Sequence, residues 1–291
     1  MPPSGSEDVR ENGGGGCHRH WRQPGHREGH CTGSGQQGAT VYATGRSLQP
    51  GASRWPGTVT ETAQEVTRLG GVGIAAQCDH RKDGEVKTVF QRVQREQDRL
   101  DLLVNNATSF GETPSSYGYD PEVDFWELPI EQWDEMQLVG LRSHYVASVF
   151  AAPMMIERRS GLILNISSSG AVSFAGNVAY GVGKAAVDKL AADMAHQLRR
   201  FDVAAISLWP PLIKTEKVVA FSERYNLARA LSPVFIGRIV AALAMDPKIM
   251  EKTGRALKVT ELATEYGLTD TPADTSPRSP SDDTPTPSPT R

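Results

Sequence analysis

No stretch of this 291-residue chain approaches the roughly 18 consecutive apolar residues of a membrane-spanning helix, and its N-terminus lacks a charged start followed by an apolar core. Neither a span nor a signal peptide is therefore expected, and a soluble, cytoplasmic protein is the default. A long basic run is also missing, and with a formal charge of -3 the balance argues against a nucleic-acid partner. Only three cysteines occur, Cys17, Cys31 and Cys78, too few for a disulfide framework. Residues 1–38 contain no apolar run of strand type. What remains, 38% hydrophobic and 22% charged residues, is the composition of an ordinary globular protein. The length suits one α/β domain followed by a tail.

The informative stretch is Tyr180-Gly181-Val182-Gly183-Lys184, preceded by Gly161-Leu162-Ile163-Leu164-Asn165-Ile166-Ser167-Ser168-Ser169. A continuous apolar run ending in hydroxyls reads as a buried parallel strand that delivers serines to its C-terminal edge. Ala185 to Arg200 has helical periodicity, and if that helix already includes Tyr180, then Tyr180 and Lys184 share a face. An ammonium fixed beside a phenol stabilises the phenolate against its ordinary value of about 10, which equips the pair to move a proton at a carbonyl or alcohol. Strand alternation turns Ser167 and Ser169 away from the side that Ser168 faces.

Asn105-Asn106-Ala107 after one strand, Ser168 after the next, and then Tyr180 and Lys184 stand in the order and spacing of the short-chain dehydrogenase/reductase superfamily, which the chain resembles from about Ala39 to Leu268. Phe125-Trp126-Glu127-Leu128-Pro129, Trp133-Asp134, Val139 to Tyr145 and Leu190 to Arg200 are similar to one subgroup, the dehydrogenase/reductase member 1 type. The resemblance implies a Rossmann-like, doubly wound parallel sheet in a single domain, and hydride exchange between a nicotinamide cofactor and a small-molecule carbonyl or alcohol. It also implies Tyr180 as the acid/base group, Ser168 as the oxygen's hydrogen-bond partner and Lys184 as the residue that binds ribose. Asn105, Asn106, Ala107 and Thr215 would line the cofactor crevice, Asp79 would lie near the adenine, and the assembly would be a homodimer or homotetramer.

Taken in order, the chain departs from this pattern first at its start. A nucleotide-binding domain opens with a strand, a glycine-rich turn and a helix. Gly33, Gly35 and Gly38 spell Gly-x-Gly-x-x-Gly, but they follow no strand and precede one, so the first strand and the glycine turn are in doubt. Cys17, His18, His20, His26, His30 and Cys31 lack zinc-site spacing, and no metal is expected. Codon degeneracy does permit a glycine-rich turn if Cys17 to Gly35 is read one nucleotide later. Residues 1–38 are thus an aberrant, poorly ordered segment by this reading, 39–268 the domain, and 269–291 a disordered Pro/Ser/Thr-rich tail.

Ala39 to Thr44 reads as the next strand and ends at Arg46, where an NAD enzyme would carry an acid. Arg46 suits a 2′-phosphate instead, so NADP(H) is preferred over NAD(H), the alternative being a surface arginine. Further elements are expected as a helix over Thr58–Leu69, strands over Gly73–Cys78, Leu100–Val104 and Ala204–Leu208, helices around Phe221–Ala230 and Pro233–Met245, and a strand near Arg255–Val259. Asp79 could instead cap the helix that carries Val86, Val89, Phe90 and Val93. Gly140 stands where many relatives place a catalytic asparagine, and Pro211 replaces a glycine ahead of Thr215. Phe221, Tyr225 and Leu227 would shape a lid over the substrate or serve as core or dimer contacts.

Overall fold

The computed structural model describes residues 19–22, 38–51, 57–109, 123–220, 222 and 226–270. Parallel strands β2 (Thr40–Gly45), β3 (Val72–Gln77), β4 (Leu102–Asn105), β5 (Gly161–Ile166), β6 (Val203–Trp209) and β7 (Ala256–Lys258) form the centre. Strands β4, β5 and β6 are almost wholly buried, as a sheet covered on both faces requires.

Their residues alternate between two cores. Leu103, Ile163 and Ala205 face one side, against Val86, Val89, Phe90 and Val93 of α2 (Asp83–Gln97) and Ala147, Ala151 and Met155 of α4 (Ser143–Glu157). Leu102, Leu164 and Ile206 face the other, against Phe235, Ile236, Ile239 and Leu243 of α7 (Pro233–Met245) and Leu262 of α9 (Val259–Glu265). Helix α1 (Val59–Arg68) closes a third cluster over Val41 and Ala43. Side-chain caps set the helix starts: Thr58 Oγ1 accepts from the Glu61 N–H at 3.0 Å, and Ser232 Oγ from the Phe235 N–H at 3.1 Å ahead of Pro233.

The expectation of no strand before Ala39 is corrected. Arg19–Arg22 forms β1, paired in parallel with β2 from Arg19↔Thr40 to Arg22↔Ala43, and it also lies against β4. A ladder is made of backbone N–H and C=O groups, so four residues without an apolar pattern can still complete it. The paired strands form two sheets, β3-β2-β1 and β4-β5-β6-β7, whose edge strands β1 and β4 lie against each other, so that the arrangement is doubly wound about that junction. Of the helical stretch expected around Phe221–Ala230, residues 221 and 223–225 lie outside the described residues; α6 covers Glu216–Ala220 ahead of it, and a 3-10 turn covers Leu227–Arg229. Phe221 and Tyr225 lie outside the described residues, as do Gly33, Gly35, most of the Cys/His-rich segment, the loop 110–122 and the tail beyond 270. Gly38 is described, with φ 72°, and β2 starts two residues later with no helix between. Among the described residues no helix is long and apolar enough to cross a membrane, and no His/Cys/Asp/Glu group could hold a metal.

Candidate functional site

Helix α5 (Val178–Leu198) includes both Tyr180 and Lys184. It starts there because Asn177 caps it, its Oδ1 accepting from the Tyr180 N–H at 2.9 Å. Strand β5 ends beside it and hands over to the serines. Tyr180 OH donates to Ser168 Oγ at 3.0 Å, and that oxygen also accepts from the Gly170 N–H at 3.1 Å. With two bonds accepted, the hydroxyl hydrogen of Ser168 is left to donate to a ligand oxygen. Ser167 is buried and bonds the same helix at another point, its Oγ donating to the Lys184 carbonyl at 3.1 Å, which ties β5 to α5.

Lys184 is buried, its Nζ donating to the Ile166 carbonyl at 2.9 Å and lying 5.6 Å from the centre of the Tyr180 ring. Burial pushes its pKa down to about 8, with Asp188 pulling the other way. Asp188 itself accepts from Trp209 Nε1 at 3.0 Å, which fastens α5 to β6. The lysine is thus still mostly charged at pH 7, close to the phenol and with donors to spare.

At the end of β4, Asn105 Nδ2 donates to Asn165 Oδ1 on β5 at 2.9 Å and to Ser148 Oγ on α4 at 3.0 Å, so it braces the sheet at the edge of the cavity it helps to line. Asn106 is buried, and neither of its amide atoms has a partner among the described residues. The Ala107 carbonyl lies 2.9 Å from Nε2 of His144. A cavity at this sheet edge is lined by Thr44, Cys78, His80, Asn106 and His144. An orphaned buried amide at the C-terminal edge of a parallel sheet, beside a switch in strand order, fits the hydrogen-bonding groups of a nucleotide.

Arg46 is exposed at the end of β2, its carbonyl held by Gln77 Nε2 at 3.0 Å. Asp79 follows β3. The alternative that it caps α2 is overturned: Lys82 stands at the cap without a side-chain bond, and Arg81 grips both carboxylate oxygens of Asp79 at 3.0 and 2.8 Å. Burial opposes the Asp79 charge, but Arg81 and then Arg46 hold its pKa below the usual carboxylate range. Thr215 is buried, and its Oγ1 accepts from the Val218 N–H at 3.3 Å at the start of α6. The structure therefore brings Tyr180 within hydrogen-bonding range of Ser168 with Lys184 Nζ 5.6 Å from the centre of the phenol ring, sets Asn105, Asn106 and Ala107 along the adjacent edge, and places Arg46 and Asp79 at the ends of β2 and β3.

Three side chains went unremarked in the sequence. His144, inside the run Val139 to Tyr145, is fully enclosed, and burial followed by the charge of Lys184 lowers its pKa to about 3. His80, 3.1 Å from Thr44 Oγ1, is lowered to about 4 by burial. Asn177 was legible, since an asparagine just before a helical run is a cap signal.

Residues 29–226 match the family model for the short chain dehydrogenase. The chain is 42% identical over 247 residues to dehydrogenase/reductase SDR family member 1 of Mus musculus, covering 80% of this chain and 75% of that protein. The Homo sapiens protein of the same name is 41% identical over the same shares. Cyclopentanol dehydrogenase of Comamonas testosteroni is 26% identical over 223 residues, 76% of this chain and 82% of that protein. A crystal structure of a putative dehydrogenase from Xanthomonas campestris superposes with a TM-score of 0.74 at 20% identity, over 87% of this chain and 91% of that one, a likeness of fold.

Proposed function

We propose, from the premise that this chain belongs to the short-chain dehydrogenase/reductase family, that it interconverts a carbonyl and an alcohol with NADP(H) and that Tyr180 is its acid/base group. The observation that carries this reading is the 3.0 Å contact of Tyr180 OH with Ser168 Oγ beside the buried Lys184 ammonium. Family membership brings a nicotinamide cofactor, which when bound supplies or accepts the hydride. In the reductive direction Ser168 donates its hydroxyl hydrogen to the substrate oxygen and Tyr180 gives that oxygen its proton. Lys184 stabilises the phenolate that results, and in the oxidative direction the same phenolate takes the proton back. Lys184 Nζ, the Asn106 amide and the Ala107 region would hold the ribose and nicotinamide side, and Asp79 the adenine side.

Arg46 supports the preference for NADP(H). A guanidinium at the end of the second strand offers paired donors to a 2′-phosphate, where an acid would serve the free hydroxyls of NAD. Exposed Tyr145 and Val149 on α4 support a homodimer or homotetramer. A second reading, a family member that binds without turnover, draws on Gly38, which leads into β2 with no helix after it.

Titrating the purified chain with NADPH and with NADH, read by nicotinamide fluorescence, tests the cofactor preference, and carbonyl-dependent oxidation of NADPH separates turnover from binding alone. Saturable binding at least about tenfold tighter for NADPH, evened out by Arg46→Ser, is expected from the gain of a charge-assisted pair. Absence of binding to either nucleotide would contradict the oxidoreductase reading.

A further inference from the structure

The segment Tyr180 to Lys184 carries glycine at positions 181 and 183, inside a helix that glycine weakens. Both positions are close approaches. A Cβ at Gly181 would sit 3.2 Å from the Gly170 carbonyl oxygen, and a Cβ at Gly183 would sit 3.1 Å from Oε1 and 3.4 Å from Nε2 of Gln137. Gln137 is the last residue of α3 (Ile130–Gln137), just ahead of a π-helical turn, Leu138–Arg142. Its Nε2 donates to the Ala179 carbonyl at 2.8 Å, while its Oε1 is enclosed and has no hydrogen-bond partner among the described residues. The amide therefore lies along α5 from the residue before Tyr180 to the residue before Lys184. One turn earlier on α3, Gln132 Oε1 accepts from Asn177 Nδ2 at 3.4 Å, and Asn177 in turn holds the Tyr180 N–H.

We propose that Gln137 is a positioning residue for Tyr180: its side-chain amide seats the first turns of α5 against α3, and Gly183 is glycine so that this amide can lie there. The inference rests on the reading of Tyr180 as the acid/base group. Gln137 does not reach the reacting atoms; it acts through the height and rotation of the helix that carries them. With Gly170 pressing from the Gly181 side and Gln137 from the Gly183 side, the phenol is held at its distance from Ser168. A shift of about 1 Å in such a group costs on the order of a hundredfold in rate.

The test measures kcat and KM for NADPH-dependent reduction of para-nitrobenzaldehyde by the full chain, its Gln137→Ala, Gln137→Met and Gly183→Ala variants, and the double variant of Gln137→Ala with Gly183→Ala. Gln137→Met keeps the length of the side chain and removes only the amide. Each Gln137 variant is expected to lower kcat by about tenfold or more while KM for NADPH stays within about twofold. Gly183→Ala is expected to lower kcat alone and to add nothing on top of Gln137→Ala, because the added methyl has no amide left to displace. Wild-type kcat in both Gln137 variants, or independent multiplication of the two effects, would overturn the proposal. Tyr180→Phe is assayed alongside: loss of turnover there with unchanged Gln137 variants defeats the positioning role alone, whereas full turnover without the phenol defeats the acid/base reading and this inference with it.

Discussion

Lowering the pH from 7 to 5 should cost this fold about 4 kcal/mol through two buried imidazoles. His80 and His144 are held neutral, at about 4 and about 3 respectively, against an ordinary value of 6.5. Burial is the chief cause in both, aided at His144 by the charge of Lys184 and opposed at His80 by Asp79 and Glu85. The folded-state values are depressed, so the unfolded chain binds the protons first. Stability is therefore complete above about pH 6.5 and falls as pH drops toward 4 for His80 and 3 for His144. Each group loses about 1.4 kcal/mol per pH unit inside its window, hence roughly 2 kcal/mol apiece at pH 5. Asp79, Glu85 and Asp246, all held below the ordinary carboxylate range, draw on their stabilisation only below about pH 4 to 5, so the interval from 7 to 5 isolates the histidines. Urea unfolding followed by tryptophan fluorescence at several pH values measures the slope, and Gln in place of His144 keeps a donor for the Ala107 carbonyl while removing the titration. A loss under about 1 kcal/mol between pH 7 and 5, or the same slope in the His80→Gln/His144→Gln double variant, would refute the reasoning.

Other consequences follow from the site and its supports. Turnover should decline as pH rises past about 8, where Lys184 gives up the charge that stabilises the phenolate, and a rate that stays flat to pH 10 in initial-rate assays would contradict that role. Gly170→Ala should lose turnover with little change in melting temperature, because its Cβ would fall 2.9 Å from Tyr180 Cε1 and 3.0 Å from Ser168 Oγ; calorimetry and kinetics on one preparation check both halves. Lys252→Met should destabilise the fold by about 3 kcal/mol in chemical unfolding, since its buried ammonium joins Asp246 at 2.9 Å and Glu265 at 2.7 Å and its removal leaves the Asp246 carboxylate without a cation, held by the Tyr266 hydroxyl and the Lys248 N–H.

The parts of this molecule that were legible in the sequence are those where backbone periodicity alone decides geometry. A strand of buried residues followed by three serines delivers hydroxyls to the sheet edge, where both Ser167 and Ser168 bond α5, and the four-residue spacing of Tyr180 and Lys184 follows once Asn177 starts the helix. What escaped depends on contacts across the fold. Nothing local to Arg19–Arg22 marks a strand, since the pairing partner is β2 and the ladder is indifferent to side chains. That Asp79 does not cap α2 shows only once Arg81 closes on its carboxylate from two residues away. His144 carries no sequence signal for its burial, which comes from a carbonyl thirty-seven positions earlier. Gln137 reads as one more polar residue on α3, and only the glycine facing it on α5 reveals why it lies where it does.

The most direct test of the central claim is the NADPH-dependent reduction of para-nitrobenzaldehyde by the wild-type chain and by Tyr180→Phe, with NADPH affinity measured on both. Carbonyl-dependent oxidation of NADPH is expected to fall by at least about a hundredfold without the phenol while nucleotide binding persists. Equal turnover by the two proteins would contradict the assignment of Tyr180.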